Sequence, residues 1–259
     1  MTLHPGRVIV ENVRIGFLTD PGVVRAENQD ALFIPDPSQV DTRKKGVLVA
    51  VADGMGGCAG GSLASCTAVE CLSRYYEEPG MENMLDLGVM FRVEAAHFRL
   101  QELAKERPQL KGMGTTLTAV LVVNGSLEFF HVGDSRAYLL RQGCLEQVTD
   151  DHTLVARWAR AGTLSNNRRG IGKNVLTRAL GVGLRLEVDR RSRSLAGGDR
   201  ILLASDGLHC VAEGAELTEI LGRKQPPWEA SRQLVELARD KGGPDNITAV
   251  VIDVTASPE

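Results

Sequence analysis

The sequence predicts an α+β fold in which a β-sandwich is flanked by helices. Two observations carry this expectation: short apolar strand patterns cluster together, and helical patterns come in pairs set apart from them. Segregated strands and helices belong to layered α+β domains rather than to alternating α/β units.

The first third opens with strands at 14–18 and 31–34, then a continuously hydrophobic strand at 47–52. Helical stretches at 62–76 and 82–106 follow. In the second, Met84, Leu87, Phe91, Ala95 and Phe98 recur at three- and four-residue spacings, which predicts that this stripe faces the core. From Thr115 the pattern becomes β: 117–123, a turn at Asn124-Gly125, 127–132, 137–140, a turn at Gln142-Gly143, and 145–148. Asn-Gly between apolar runs signals a tight hairpin, because both central residues need positive φ. A short helix at 153–161, capped by Asp151 or Thr153, leads into the polar segment 162–174. Strands return at 186–194 and 200–204, helices at 216–221 and 228–240, and a last strand at 247–254.

With 43% hydrophobic and 24% charged residues, the 259-residue chain has the make-up of a soluble globular protein. No repeat or Pro/Ser/Gly-rich linker divides it, so residues 1–259 read as one domain. A net charge of −3 and only 2 Trp, 3 Tyr and 6 Phe disfavour a nucleic-acid partner. The longest apolar runs, 46–52 and 117–123, fall far short of the roughly 20 residues that cross a bilayer. The opening residues lack the pattern of a signal peptide. The expectation is a cytosolic protein with no membrane partner. Five cysteines (Cys58, Cys66, Cys71, Cys144, Cys210) without a CxxC pair read as reduced thiols packed as small hydrophobes.

Chemistry points to the strand ends. Three apolar strands each run into an aspartate beside a glycine: Asp53-Gly54, Gly133-Asp134 and Asp206-Gly207. Any one such pair reads first as turn chemistry. Three together predict carboxylates gathered at one rim, with Asp30 and Asp245, each just before a strand, as further candidates. Carboxylates that close raise each other's pKa unless a cation neutralises them. An all-oxygen donor set without Cys or His selects a hard ion, Mg²⁺ or Mn²⁺, over zinc.

Eight motifs then stand in a recognisable order: Arg25-Ala26-Glu27-Asn28-Gln29-Asp30, Val51-Ala52-Asp53-Gly54-Met55-Gly56-Gly57, Gly112-Met113-Gly114-Thr115-Thr116, Val132-Gly133-Asp134-Ser135-Arg136, Asp151-His152-Thr153, Leu176-Thr177-Arg178-Ala179-Leu180-Gly181, Ala204-Ser205-Asp206-Gly207 and Asp245-Asn246. Over about residues 14–254 the chain resembles the metal-dependent protein phosphatases of type 2C, most of all their bacterial branch. The resemblance implies α-β-β-α layers, with antiparallel helices outside a central antiparallel sandwich and a binuclear metal centre at one end. It implies a serine/threonine phosphatase that attacks phosphate directly with a water bridging two Mg²⁺ or Mn²⁺ ions. Asp53 would bridge the ions, the Gly54 carbonyl would bind one, and Asp206 and Asp245 the other. Asp30 would hold the water, Arg25 the substrate phosphate, and Asp134 with Asp206 a third, weaker ion. The segment with Arg168 and Arg169 would form a flap that binds substrate.

The implied partners are phosphorylated proteins and a cognate Ser/Thr kinase, with the phosphatase a monomer. Gln29 stands where many members carry Glu, Met55 where animal members carry His, and Cys58 and Ser62 where bacterial relatives often carry His and Glu. His131 and His152 read as structural, and His209 is left open. Two other readings stay open: a silent regulatory member of the same fold, and a stress- or sporulation-switch phosphatase.

Overall fold

The computed structural model describes residues 3–77, 84–163 and 175–255. Its strands form two antiparallel sheets, numbered here with the helices in chain order. The first sheet runs β1 (Gly6–Val10), β2 (Val13–Asp20), β12 (Ile247–Val254), β11 (Arg200–Ala204), β8 (Arg136–Arg141), β9 (Cys144–Gln147). The second runs β10 (Asp189–Ser194), β7 (Ser126–Val132), β6 (Leu117–Val123), β4 (Val47–Met55), β3 (Asp30–Phe33), with the short β5 (Gly114–Thr115) on β4. The hairpins expected at Asn124-Gly125 and Gln142-Gly143 join β6 to β7 and β8 to β9, with positive φ at all four residues.

The unbroken hydrophobicity of 47–52 has a physical reason: both faces of β4 are covered. Its valines, Val47, Val49 and Val51, meet Leu139, Leu203 and Val250 of the other sheet in the core between sheets. The alternate residues Leu48, Ala50 and Ala52 pack under α2 (Gly57–Ser73) and α3 (Leu85–Glu106). On the far side of the first sheet, α6 (Gly214–Gly222) and α7 (Pro227–Asp240) cover Leu202, Ala249 and Val251. These are the α-β-β-α layers. The remaining helices are α1 (Thr42–Lys45), α4 (Leu154–Arg160) and α5 (Asp206–His209). Among the described residues no helix is long and apolar enough to cross a membrane.

Four expectations are corrected. Of the expected stripe, Met84 just before α3 and Leu87, Phe91 and Phe98 within it are exposed, Phe98 at 59%, and Ala95 is half-buried, while Leu85, Val89, Val93, Ala96, Leu100 and Leu103 face the core. Both stripes are apolar at helical spacing, and the slimmer one fits between α2 and the sheet. Cys66, Cys144 and Cys210 are exposed and Cys71 half-buried, so these thiols are not core residues; the side chain of Cys58 lies outside the described residues. The strand expected at 186–194 begins at Asp189, and α2, expected from residue 62, begins at Gly57, five residues early. Thr153, not Asp151, caps α4, its Oγ1 accepting from the Ala156 amide at 3.2 Å.

Candidate metal centre and catalytic site

Antiparallel pairing sets Asp30 of β3 directly opposite Asp53 of β4. Opposed residues share a face of the sheet, so the two carboxylates project together. Just beyond, Gly54 passes α2 so closely that a Cβ would sit 2.1 Å from the Gly61 carbonyl oxygen and 2.7 Å from that of Gln29. In the facing sheet β11 ends at Ala204, Ser205 leads into α5, and Asp206 is its first residue. There a Cβ on Gly207 would sit 2.1 Å from the Asn246 carbonyl oxygen. Neither glycine has positive φ. Each therefore serves close backbone approach rather than a turn.

Asn246 carries the loop before β12 into place. Its Oδ1 accepts from the Gln29 amide at 2.8 Å, and its Nδ2 donates to the carbonyls of Pro21 at 3.0 Å and Glu27 at 2.8 Å. Those bonds hold the loop carrying Asp245 against the Arg25 segment. Asp134 follows β7 through Gly133, and its carbonyl accepts from His209 Nε2 at 2.9 Å. The backbone of Asp53 is fixed by two threonines: its N–H donates to Thr116 Oγ1 at 2.9 Å and its carbonyl accepts from Thr115 Oγ1 at 2.8 Å.

The charges confirm how tightly the rim is gathered. Desolvation first, then the charges of Asp30, Asp206, Asp134 and Asp245, push the Asp53 carboxyl well above its ordinary value. Burial, with the charges of Asp206 and Asp245, lifts Asp30 to about 7 against the bond that Thr248 Oγ1 donates to its Oδ2 at 2.6 Å. Asp206 rises to about 6 through burial and Asp245, opposed by a hydrogen bond with Asp53 and by Arg25. Asp134 rises to about 7 through burial and then Asp206. Four mutually repelling carboxyls at one rim are what a multivalent cation relieves.

Two buried oxygens, Asp30 Oδ1 and Asp206 Oδ1, have no hydrogen-bond partner. Orphaned carboxylate oxygens among all-oxygen donors fit a hard divalent ion. Among the described residues no three of these side chains converge, as they stand, on one coordination point. Asp53 is instead bonded to Asp206, and Asp245 Oδ2 to Arg25 Nη2 at 2.8 Å. Those pairings are the contacts that a cation would exchange.

The structure thus brings Asp30, Asp53, Asp134, Asp206 and Asp245 within each other's fields, with Gly54 beside Asp53 and the exposed Arg25 at the edge. Arg168 and Arg169 lie outside the described residues. Gln29 turns toward α2, where a Cβ on Gly61 would come within 2.4 Å of its Oε1. His131 and His152 stack at 4.7 Å behind the site. His131 is wedged between Thr118 and the Asp150 carbonyl, and His152 Nδ1 accepts from the Gly133 amide. His209 is also structural, holding the Asp134 backbone.

Sequence reasoning missed Thr248 and Thr19. Asn28 Nδ2 donates to Thr19 Oγ1 at 2.7 Å, Thr19 and Thr248 share a 2.8 Å hydroxyl contact, and Thr248 reaches Asp30. The available signal was a threonine in the fully buried β12, whose only other polar residue is Asp253.

The family profile for protein phosphatase 2C matches residues 24–250. The serine/threonine protein phosphatase PstP of Mycobacterium tuberculosis is 36% identical over 245 residues, 93% of this chain, which spans 45% of that relative's length. The serine/threonine phosphatase stp of Listeria innocua is 34% identical over 245 residues, covering 92% of this chain and 94% of its own. The solved catalytic domain of PstP, in complex with two manganese ions, superposes with a TM-score of 0.78 at 36% identity, covering 94% of this chain and 99% of that one. A match that takes in all five rim carboxylates and both edges of the cluster leaves one assignment: this chain belongs to the protein phosphatase 2C family.

Proposed function

We propose that the chain is a metal-dependent protein serine/threonine phosphatase that hydrolyses phosphoserine and phosphothreonine. The observation that carries this reading is the rim itself: carboxylates from both sheets held at raised pKa, two of their buried oxygens unpartnered. Asp53, Asp206, Asp245 and the Gly54 carbonyl would hold two Mg²⁺ or Mn²⁺ ions, and Asp134 with Asp206 a weaker third. Such ions lower the pKa of a shared water and clamp the phosphoryl oxygens during in-line attack.

The chain's own residues do the rest. Asp30, anchored through Oδ2 to Thr248, keeps Oδ1 as the acceptor that orients the attacking water. Arg25 exchanges its Asp245 partner for the phosphate, to which its fork is matched. Met55 carries no proton, so the leaving alkoxide takes one from water. Arg168 and Arg169 are proposed as substrate contacts on their sequence position alone. Residues 1–259 are read as one catalytic domain, a cytosolic monomer acting on phosphoproteins and opposing a Ser/Thr kinase.

Turnover of an aryl phosphate and a phosphothreonine peptide with Mn²⁺ or Mg²⁺, and with chelator, tests the proposal. Expected is activity that chelation abolishes reversibly and that Asp53→Asn lowers by orders of magnitude in a folded protein. Metal-independent turnover, or near-normal activity of Asp53→Asn, refutes the mechanism, and no turnover by the intact protein favours a silent binding module.

A further inference from the structure

Beside the carboxylate rim lies a cleft of about 510 Å³. Met55 and Val132 form its wall nearest the rim, and each stands two residues from a rim carboxylate, Asp53 and Asp134. At about 3.3 Å per strand residue, that wall lies about 7 Å along the chain from the residues that carry the rim carboxylates. Four arginines line it, Arg157, Arg160, Arg178 and Arg185, against a single acid, Glu187.

The four are not equivalent. Arg178 is committed, with Asp189 at 2.7 Å, Glu187 at 2.8 Å and His152 at 3.1 Å. Arg160 leans on Asp150 at 3.8 Å and on the Asp151 carbonyl at 3.3 Å. Arg157 and Arg185, both exposed, have no hydrogen bond or ion pair among the described residues. Both guanidinium groups are thus open to solvent on the cleft side and available to a ligand. Between them Met55, Leu176, Val182 and Leu186 supply apolar lining.

We infer that this cleft binds the phosphoprotein segment flanking the phosphorylated residue, and that Arg157 and Arg185 select acidic side chains two or three positions away. The inference rests on the phosphatase reading. An extended chain covers about 3.3–3.6 Å per residue, so that reach spans the distance from rim to cleft. Apolar lining with basic corners suits a mixed acidic and aliphatic peptide. Among the described residues the cleft is lined by no Phe, Tyr or Trp on which a nucleic acid base would stack.

The test compares three substrates with Mn²⁺: a phosphothreonine peptide with acidic flanks, one with neutral flanks, and an aryl phosphate. Binding of both peptides in chelator is read by fluorescence anisotropy. The expected preference of the intact protein for the acidic peptide is about tenfold in kcat/KM, shrinking at high salt. Arg157→Ala/Arg185→Ala should raise KM for that peptide to the neutral level, with kcat and aryl phosphate turnover unchanged. Arg185→Glu should turn the preference toward lysine-flanked peptides, a gain that damage to the fold does not produce. Equal use of both peptides by the intact protein, or equal losses on all three substrates in the double variant, overturns the inference while leaving the phosphatase reading intact. Acidic-peptide preference in binding with no turnover of any substrate does the reverse.

Discussion

Asp206→Asn should make the metal-free protein more stable while abolishing its activity. Folding raises the Asp206 pKa from 3.8 to about 6, through burial first and the charge of Asp245 second. A carboxyl whose pKa is raised holds its proton in the folded state longer than in the unfolded chain. Stability therefore falls as pH rises from about 4 to about 6, and the whole penalty stands above that window. Keeping this group ionised near pH 8 costs on the order of 3 kcal/mol. Asparagine removes the charge, keeps the shape and can still accept through its Oδ1 from the protonated Asp53, which leaves a net gain of about 2 kcal/mol after about 1 kcal/mol for an imperfect hydrogen bond.

For a chain of this size that gain is a rise in Tm of roughly 4–8 °C. Thermal unfolding in chelator at about pH 8 and about pH 4 measures it, and at the lower value the gain should vanish because the wild-type carboxyl is largely protonated. Mn²⁺ should reverse the order, since the intact protein gains about 2.7 kcal/mol at a hundredfold excess over Kd and the variant far less. Destabilisation at both pH values, or the same gain at both, would refute the claim that charge repulsion dominates this rim.

Two further outcomes test the surroundings of the site. Leu100→Ala, on the buried stripe of α3, should cost about 2–5 kcal/mol in urea unfolding, and Phe98→Ala, on the outward stripe, less than about 1 kcal/mol; equal costs would contradict the assigned face. Burial, and then the neighbouring His152, pushes His131 down to about 3, so the unfolded chain takes up its proton first on acidification. Stability is then lost as pH falls from about 6.5 toward 3, by about 2 kcal/mol at pH 5, and His131→Gln should flatten that dependence. An unchanged slope in the variant would show that other groups govern the acid limb.

What the sequence discloses is what is local. Asn124-Gly125 and Gln142-Gly143 declare their hairpins because the turn demands positive φ from residues that tolerate it. The facing of α3 is not local. Its 22 residues carry an apolar stripe on each side, and periodicity fixes the spacing of a stripe but not which stripe the sheet accepts. The helix α5 was unreadable for another reason: it has four residues and begins on the aspartate that ends the strand signal. Thr248 stood out only as a hydroxyl in a largely apolar strand, and its tie to Thr19 and Asp30 could not be read, because hydroxyls in β-strands fit the pattern equally well without a polar partner.

The aspartates themselves were legible as strand ends, whereas the reason for the glycines beside them was not. A turn would ask for positive φ, whereas Gly54 and Gly207 have ordinary φ and no room for a Cβ. That difference bears on the chemistry. Carboxylates that repel one another separate unless something holds their backbones, and the restraint here combines close steric packing with hydrogen bonds from neutral groups, Thr115 and Thr116 on Asp53 and Asn246 on the Asp245 loop. Gly54 lies against α2, Gly207 against the Asn246 carbonyl, and valines of both sheets close the core directly beneath. The energy that confines the charges comes from packing and from hydrogen bonds of groups that do not titrate, so the rim stays gathered before any ion arrives.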